Sequence, residues 1–145
     1  MKRIFLTLFV LSGFYLIGMA QKDSTAKMPE PQIRQYWFVL LTKGSNRSQD
    51  SVTAEKIQIG HLNNIKKLYM EGKIKVAGPF GEGEDPLTKD WQGIFVFDCP
   101  TKAELEKLLK TDPAISAGRL AYHIKPWYTV PTGSFEPGKP KNALF

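Results

Sequence analysis

His61 stands in the stretch GHLNNIKKLYMEGKIKVAGPF, residues 60–80, where a helical pattern calls for an apolar side chain. At about 100° per residue it falls within the stripe formed by Ile57, Leu62, Ile65, Leu68 and Tyr69, so its ring should point toward a sheet. An imidazole in that position has two uses. It can be a core histidine held by a backbone carbonyl or closing a neighbouring loop. It can also move a proton, because its unperturbed titration lies near neutral pH. Asp112, followed by Pro113, reads first as a helix cap. Aspartate at an N-cap, proline at N1 and Gly118 after a single turn describe a short helical start. A capping carboxylate needs only one oxygen for backbone N–H groups and keeps the other for a second partner.

The remaining chemistry is sparse. His61 and His123 are the only histidines, and the single cysteine, Cys99, lies elsewhere in the chain. No common zinc ligand set follows from these, and no metal is expected. The glycines of GPFGEGEDP lack a following Lys-Ser/Thr and a helix, so no phosphate loop, nucleotide fingerprint or other cofactor site is expected. Cys99 ends the apolar run GIFVFDC, the usual setting of a small buried thiol. Its lack of a partner excludes an internal disulfide, and the fold must rest on its core. His123, with Ala121 and Lys125 on its face of the last strand, reads as structural or interfacial.

The chain begins MKRIFLTLFVLSGFYLIGMA, with a basic pair, an apolar run and small residues at its end. That is the pattern of a cleavable secretory signal with its site near Ala20, and it predicts a secreted or periplasmic protein without stable membrane insertion after cleavage. The run is short for a membrane span. The formal charge is +6, from 20 basic and 14 acidic residues. Taking Lys2 and Arg3 away with the leader, which holds no acid, leaves 18 basic residues against 14 acidic, or +4. That surplus is scattered among acids rather than gathered on one face, so no nucleic-acid partner is expected. Residues 21–34, with Pro29 and Pro31, read as a linker, and residues 128–145 as a Pro/Gly-rich tail. Between them, residues 35–127 make one small domain.

The elements that must carry His61 and Asp112 run strand, helix, strand, strand, helix, strand. QYWFVLLTK, residues 35–43, is aromatic and β-branched. Asp50, Ser51 and Thr53 compete as caps for a helix over about 53–71, with Gly72 as its C′ residue. KIKVAGPF and WQGIFVFDC supply two strands. Thr101 and Glu104 form a capping box for a second helix ending near Lys110, and RLAYHIKPW is the last strand. This order predicts an α+β, ferredoxin-like βαββαβ fold, an antiparallel four-stranded sheet with two helices on one face. Both faces of the strands are apolar: Tyr36, Phe38 and Leu40 alternate with Trp37, Val39 and Leu41. Helices can cover only one of them, and a second copy is expected on the other, as a homodimer.

HLNNIKKLYMEGKIKVAGPF followed by LLKTDPAISAGRLAYHIKPW resembles the YciI-like (YCII-related) domain family. A histidine-led helix, a strand ending in Ala-Gly-Pro, Asp-Pro before Ala-Gly, and a strand ending in Pro-Trp carry the resemblance, over about Gln35 to Trp127. It implies a dimeric α+β barrel and an active site built on a histidine and an aspartate, which map onto His61 and Asp112. Some members eliminate halide from hydroxylated aromatic rings, while most have no assigned reaction. The leader, the tail and long loops after Gly44 and Gly81 depart from the family pattern, so no substrate carries over.

Together these point to general acid/base chemistry of the elimination or isomerisation type. His61 would be oriented by Asp112, acting on a small acidic or hydroxylated aromatic or carbonyl compound. Pro79 and Phe80 are expected as pocket walls, beside a flap formed by the glycine-rich loop. The rival is a non-catalytic dimer that binds a small ligand or a partner, with His61 and Asp112 as a structural pair.

Overall fold

The computed structural model describes residues 32–81, 83, 85–131 and 138. The expected leader, the linker through residue 31 and the tail after residue 131, Gly138 apart, lie outside the described residues. Among the described residues no helix is long and apolar enough to cross a membrane.

Strand β1, Arg34–Lys43, alternates between two buried faces. Helix α1 spans Ser51–Met70. Of its three possible caps Asp50 wins, because its carboxylate accepts from the Thr53 backbone N–H at 2.8 Å and from the Thr53 hydroxyl at 2.9 Å. The helix therefore begins two residues before the expected Thr53. It ends where Gly72 takes a positive φ of 75° and donates to Tyr69 O at 2.8 Å. That conformation costs glycine little and other residues more.

Strands β2, Ile74–Pro79, and β3, Trp91–Phe97, follow, then helix α2, Lys102–Lys110. Thr101 caps α2, its Oγ1 accepting from Glu104 N at 3.1 Å. The reciprocal half of the expected capping box is not made, because the Glu104 carboxylate accepts from Lys73 Nζ at 2.7 Å instead. That bond holds the Lys73 ammonium above its usual titration range. A four-residue helix α3, Pro113–Ser116, and strand β4, Leu120–Thr129, complete the fold.

The sheet order is β2-β3-β1-β4, with every neighbouring pair antiparallel. Each helix-bearing connection skips one strand, as two right-handed split βαβ units require. Val39, Leu41, Ile74, Phe95 and Phe97 meet Leu68 of α1 and Leu105 and Leu109 of α2 in one core. Each such side chain contributes on the order of 1.5–3 kcal/mol by leaving water. Trp37 packs against this core and donates its indole N–H to Cys99 O at 3.0 Å. Cys99 is buried, and burial pushes its thiol up to about 11.

The pairing of Arg34 with Thr129 carries the sheet past the expected domain limits of 35 and 127, so Tyr128 belongs to a strand rather than to the tail. On the face away from the helices, Phe38, Leu40 and Ile94 are half-buried, while Tyr36 and Val96 are buried. One corner of that face is covered within the chain. The Tyr36 and Trp127 rings lie 6.5 Å apart, and Lys75 donates to Gly138 O at 2.6 Å. Lys75 sits at a register shift between Ile74 and Val76, and its burial lowers its titration range despite Asp98 at 3.7 Å.

Candidate active site

Three elements bring His61 and Asp112 together across 51 residues of chain. His61 lies near the middle of α1, 9% exposed, with its ring 6.0 Å from that of Phe95 on β3. Asp112, 1% exposed, is the N-cap of α3. Its Oδ1 accepts from Ala114 N at 2.8 Å and from Ile115 N at 3.4 Å. Its Oδ2 lies 2.7 Å from His61 Nδ1. Capping and pairing thus use opposite oxygens of one carboxylate.

Close backbone approach makes this possible. A Cβ on Gly60 would stand 2.9 Å from Pro113 Cγ, so glycine lets α3 lie directly against α1 beside His61. A helical turn further on, the Asn64 amide meets Thr111 Oγ1 at 3.0 Å and ties the α2–α3 junction to the same helix. Gly118 closes α3 with a φ of 71°, and its N–H donates to Ile115 O at 3.0 Å.

An ionised carboxylate only accepts, so facing one, Nδ1 is the donor, and in the neutral ring Nε2 is then an acceptor. Nε2 has no hydrogen-bond partner among the described residues, yet no buried side-chain nitrogen or oxygen there is left unsatisfied. It therefore opens to solvent-accessible space. His61 lines a cavity of about 380 Å³ walled by Leu41, Ile65, Phe95 and Leu120, with Gly78 and Pro79 along one edge. Apart from His61, the polar side chains on its lining are Gln58 and Gln92. A cavity of this size and mostly apolar character accommodates a small ligand.

Pro79 lines the cavity as expected, but Phe80 does not. Phe80 meets the Trp91 ring at 5.8 Å, tilted by 39°, and lines a neighbouring open basin. Trp91 is 44% exposed there. Leu62, placed by the helical wheel on the inward stripe, is 54% exposed at the cavity mouth. In the loop expected as a flap, Glu82 and Glu84 lie outside the described residues. Its later part is tied down by Asp85, which accepts from Leu87 N and Thr88 N, and by Asp90 O, which accepts from Lys43 N. Arg119 donates to Gln49 and Tyr122 packs on the core, so neither reaches the cavity. His123 is exposed on β4, paired with Leu40. Among the described residues no group of three or more His, Cys, Asp or Glu could hold a metal.

Sequence reasoning missed Gln58 and Gln92. Gln58 was within reach, since it precedes His61 by three positions and shares its helical face. Gln92 was not. It adjoins a register shift between Leu41 and Thr42, and such a bulge breaks the alternation that assigns strand residues to faces.

The β2-β3-β1-β4 sheet, with its crossover helices and a histidine–aspartate pair between α1 and α3, defines an α+β protein of the ferredoxin-like class. The chain belongs to the YCII-related domain family, whose model matches residues 36–128. None of the curated proteins matches it. Among solved structures it is similar to a 5-chloro-2-hydroxyhydroquinone dehydrochlorinase from Burkholderia phenoliruptrix AC1100, in complex with 2,5-dihydroxybenzoquinone. Identity is 24%, over 63% of this chain and 92% of that one, with a TM-score of 0.45.

Proposed function

We propose that the protein is a general acid/base enzyme of the elimination or isomerisation type, in which His61 moves the proton and Asp112 holds it in place. The observation that carries this reading is the buried Nδ1–Oδ2 contact of 2.7 Å with Nε2 turned to a ligand-sized cavity. A purely structural histidine would be expected to have both ring nitrogens satisfied.

His61 Nε2 takes a proton from an activated C–H or O–H of a bound compound, and the positive charge that forms on the ring is balanced by the Asp112 carboxylate. Asp112 stays fixed because the α3 backbone holds its other oxygen. The same imidazolium returns the proton elsewhere on the substrate in an isomerisation; in an elimination the electron pair left by the proton forms the new double bond and expels a leaving anion, and the imidazolium passes its proton to solvent. Base catalysis of this kind contributes about 10²–10⁴-fold, which suits substrates already activated by a carbonyl or a phenol. The apolar wall favours a small flat compound, with Gln58 and Gln92 as hydrogen-bonding groups for its polar substituents.

The test is hydrogen–deuterium exchange in D₂O, followed by proton NMR on a panel of hydroxylated aromatic acids and 2-oxo acids. At least one member should exchange with the wild type, and His61→Gln should lower that rate by about 10²–10⁴-fold while remaining folded. Exchange at the same rate in both proteins would remove His61 from the reaction. Binding of a panel compound without turnover in the wild type would assign the cavity to ligand capture alone. The proposal also includes secretion by the leader ending near Ala20, and a second copy of the chain on the sheet face bearing Phe38, Leu40 and Ile94.

A further inference from the structure

On the helix-facing side of the sheet, side chains line up in rows across the strands. In the first row Trp37, Phe97 and Ile74 stand opposite one another on β1, β3 and β2, and these large side chains fill the space under the helices. In the next row Phe95 is followed on β2 by Ala77, and in the last Gly93 lies between Leu41 and Pro79. Side-chain volume thus falls away along β2 and β3, where His61 of α1 still stands over Phe95 with the rings 6.0 Å apart. The cavity at His61 is the space that Ala77 and Gly93 leave unfilled, and both line it.

Ala77 holds its place because of a bulge. Strict alternation from Ile74 would bring Val76 to the helix side, but the pairing shifts between Ile74 and Val76, with Lys75 as the extra residue. Val76 therefore pairs with Val96 on the outer face, and Ala77 takes the inner position opposite Phe95. The two small residues differ in their freedom. A Cβ on Gly93 would stand 2.4 Å from Gly78 O, so the strand pairing itself requires glycine there. Ala77 is exposed and carries no such constraint, so a longer side chain at this position takes its room from the cavity.

We propose that Ala77 is the specificity-determining residue of this cavity. It sets the size limit of the ligand, which is a single planar hydroxylated ring lying over Ala77 beside Phe95, with its edge at His61. One carbon more or less in an apolar pocket changes affinity about 10–200-fold, so the length of one side chain is enough to select among ring sizes. This rests on the reading of the cavity as the reaction site, but it concerns fit alone and is tested without turnover.

The probes are phenol and 3,5-dimethylphenol, titrated by calorimetry into the full chain, with the fold of each variant checked by circular dichroism. The wild type should bind both. Ala77→Val suits a strand and should weaken 3,5-dimethylphenol by about tenfold or more, while weakening phenol by less than about threefold. Ala77→Gly should move the ratio of the two affinities the other way, by about threefold. Val76→Ala, on the outer face, should leave both affinities within about twofold of the wild type. His61→Gln should keep the wild-type ratio, which separates this proposal from the fate of the proton-transfer reading. Equal weakening of both probes in Ala77→Val, an unchanged ratio in Ala77→Gly, a changed ratio in Val76→Ala, or binding of neither probe by the wild type would each overturn the assignment.

Discussion

Asp112→Asn separates the two jobs of the aspartate. The wild-type carboxylate accepts three hydrogen bonds, two from α3 backbone N–H groups and one from His61 Nδ1. An asparagine oxygen can keep the cap, because Asn and Asp are comparable N-caps. Its amide then turns an N–H toward Nδ1, which must become the acceptor, and the ring proton moves to Nε2. The cavity-facing nitrogen changes from a base into a donor with almost no change in shape. A buried hydrogen bond to a charged group is worth about 1.5–3 kcal/mol and a neutral one about 1, so the variant should lose on the order of 1–2 kcal/mol of stability. Asp112→Ala should lose about 2–4 kcal/mol, combining a missing cap of about 1 with an unsatisfied buried donor of about 1–3. Histidine ring ¹⁵N spectra read the tautomer directly, and His123→Gln leaves a single signal to follow, since the chain has two histidines. The spectra should report Nδ1–H in the wild type and Nε2–H in Asp112→Asn, alongside a loss of exchange activity approaching that of His61→Gln. If the asparagine variant keeps the proton on Nδ1, or loses as much stability as the alanine variant, the assignment of Asp112 as the group that sets the tautomer is wrong.

Gly60→Ala gains up to about 1 kcal/mol of helix propensity but sets a methyl group 2.9 Å from Pro113 Cγ, an overpacking that costs about 1–3. The net should be a modest fall in thermal midpoint, and the His61–Asp112 bond should loosen, read as a shift of the same ¹⁵N signals. Cys99 should resist a disulfide reagent at pH 8 until the protein unfolds, because burial holds the thiol up at about 11. The folded state therefore holds this proton more tightly than the unfolded one, whose thiol titrates near its ordinary value of 9.0. The resulting stabilisation is full below that pH and is lost as pH rises toward 11, which denaturant midpoints measured across that range will report. On the proposed dimer face, Leu40→Glu should convert a two-chain particle into a one-chain particle by light scattering, with a circular dichroism spectrum unchanged; a wild type that is already one chain would remove the dimer.

The order of elements was legible because each signal is local. Runs of aromatic and β-branched residues mark β1 and β3, Asp50 and Thr101 mark helix starts, and Gly72 marks a helix end. The βαββαβ order then leaves few topologies once crossovers must be right-handed. His61 could be placed on the inward face of α1 from period alone, and Asp112 could be placed as the cap of α3 from the Asp-Pro pair. The distance between them could not. It depends on α3 lying against α1, which in turn depends on Gly60 having no side chain where Pro113 sits.

The cavity was also beyond the sequence. Leu62 turned outward because the helix covers the sheet with a narrower stripe than its apolar residues span. Phe80 left the cavity because the chain turns away after Pro79 and pairs its ring with Trp91. Local patterns thus determined the order and type of the elements and the inward placement of His61. Only tertiary packing decided which oxygen of Asp112 meets which nitrogen of His61, and which space the other nitrogen faces. Those are relations between elements more than fifty residues apart, fixed by side-chain volume at their contacts rather than by the periodicity of any one of them.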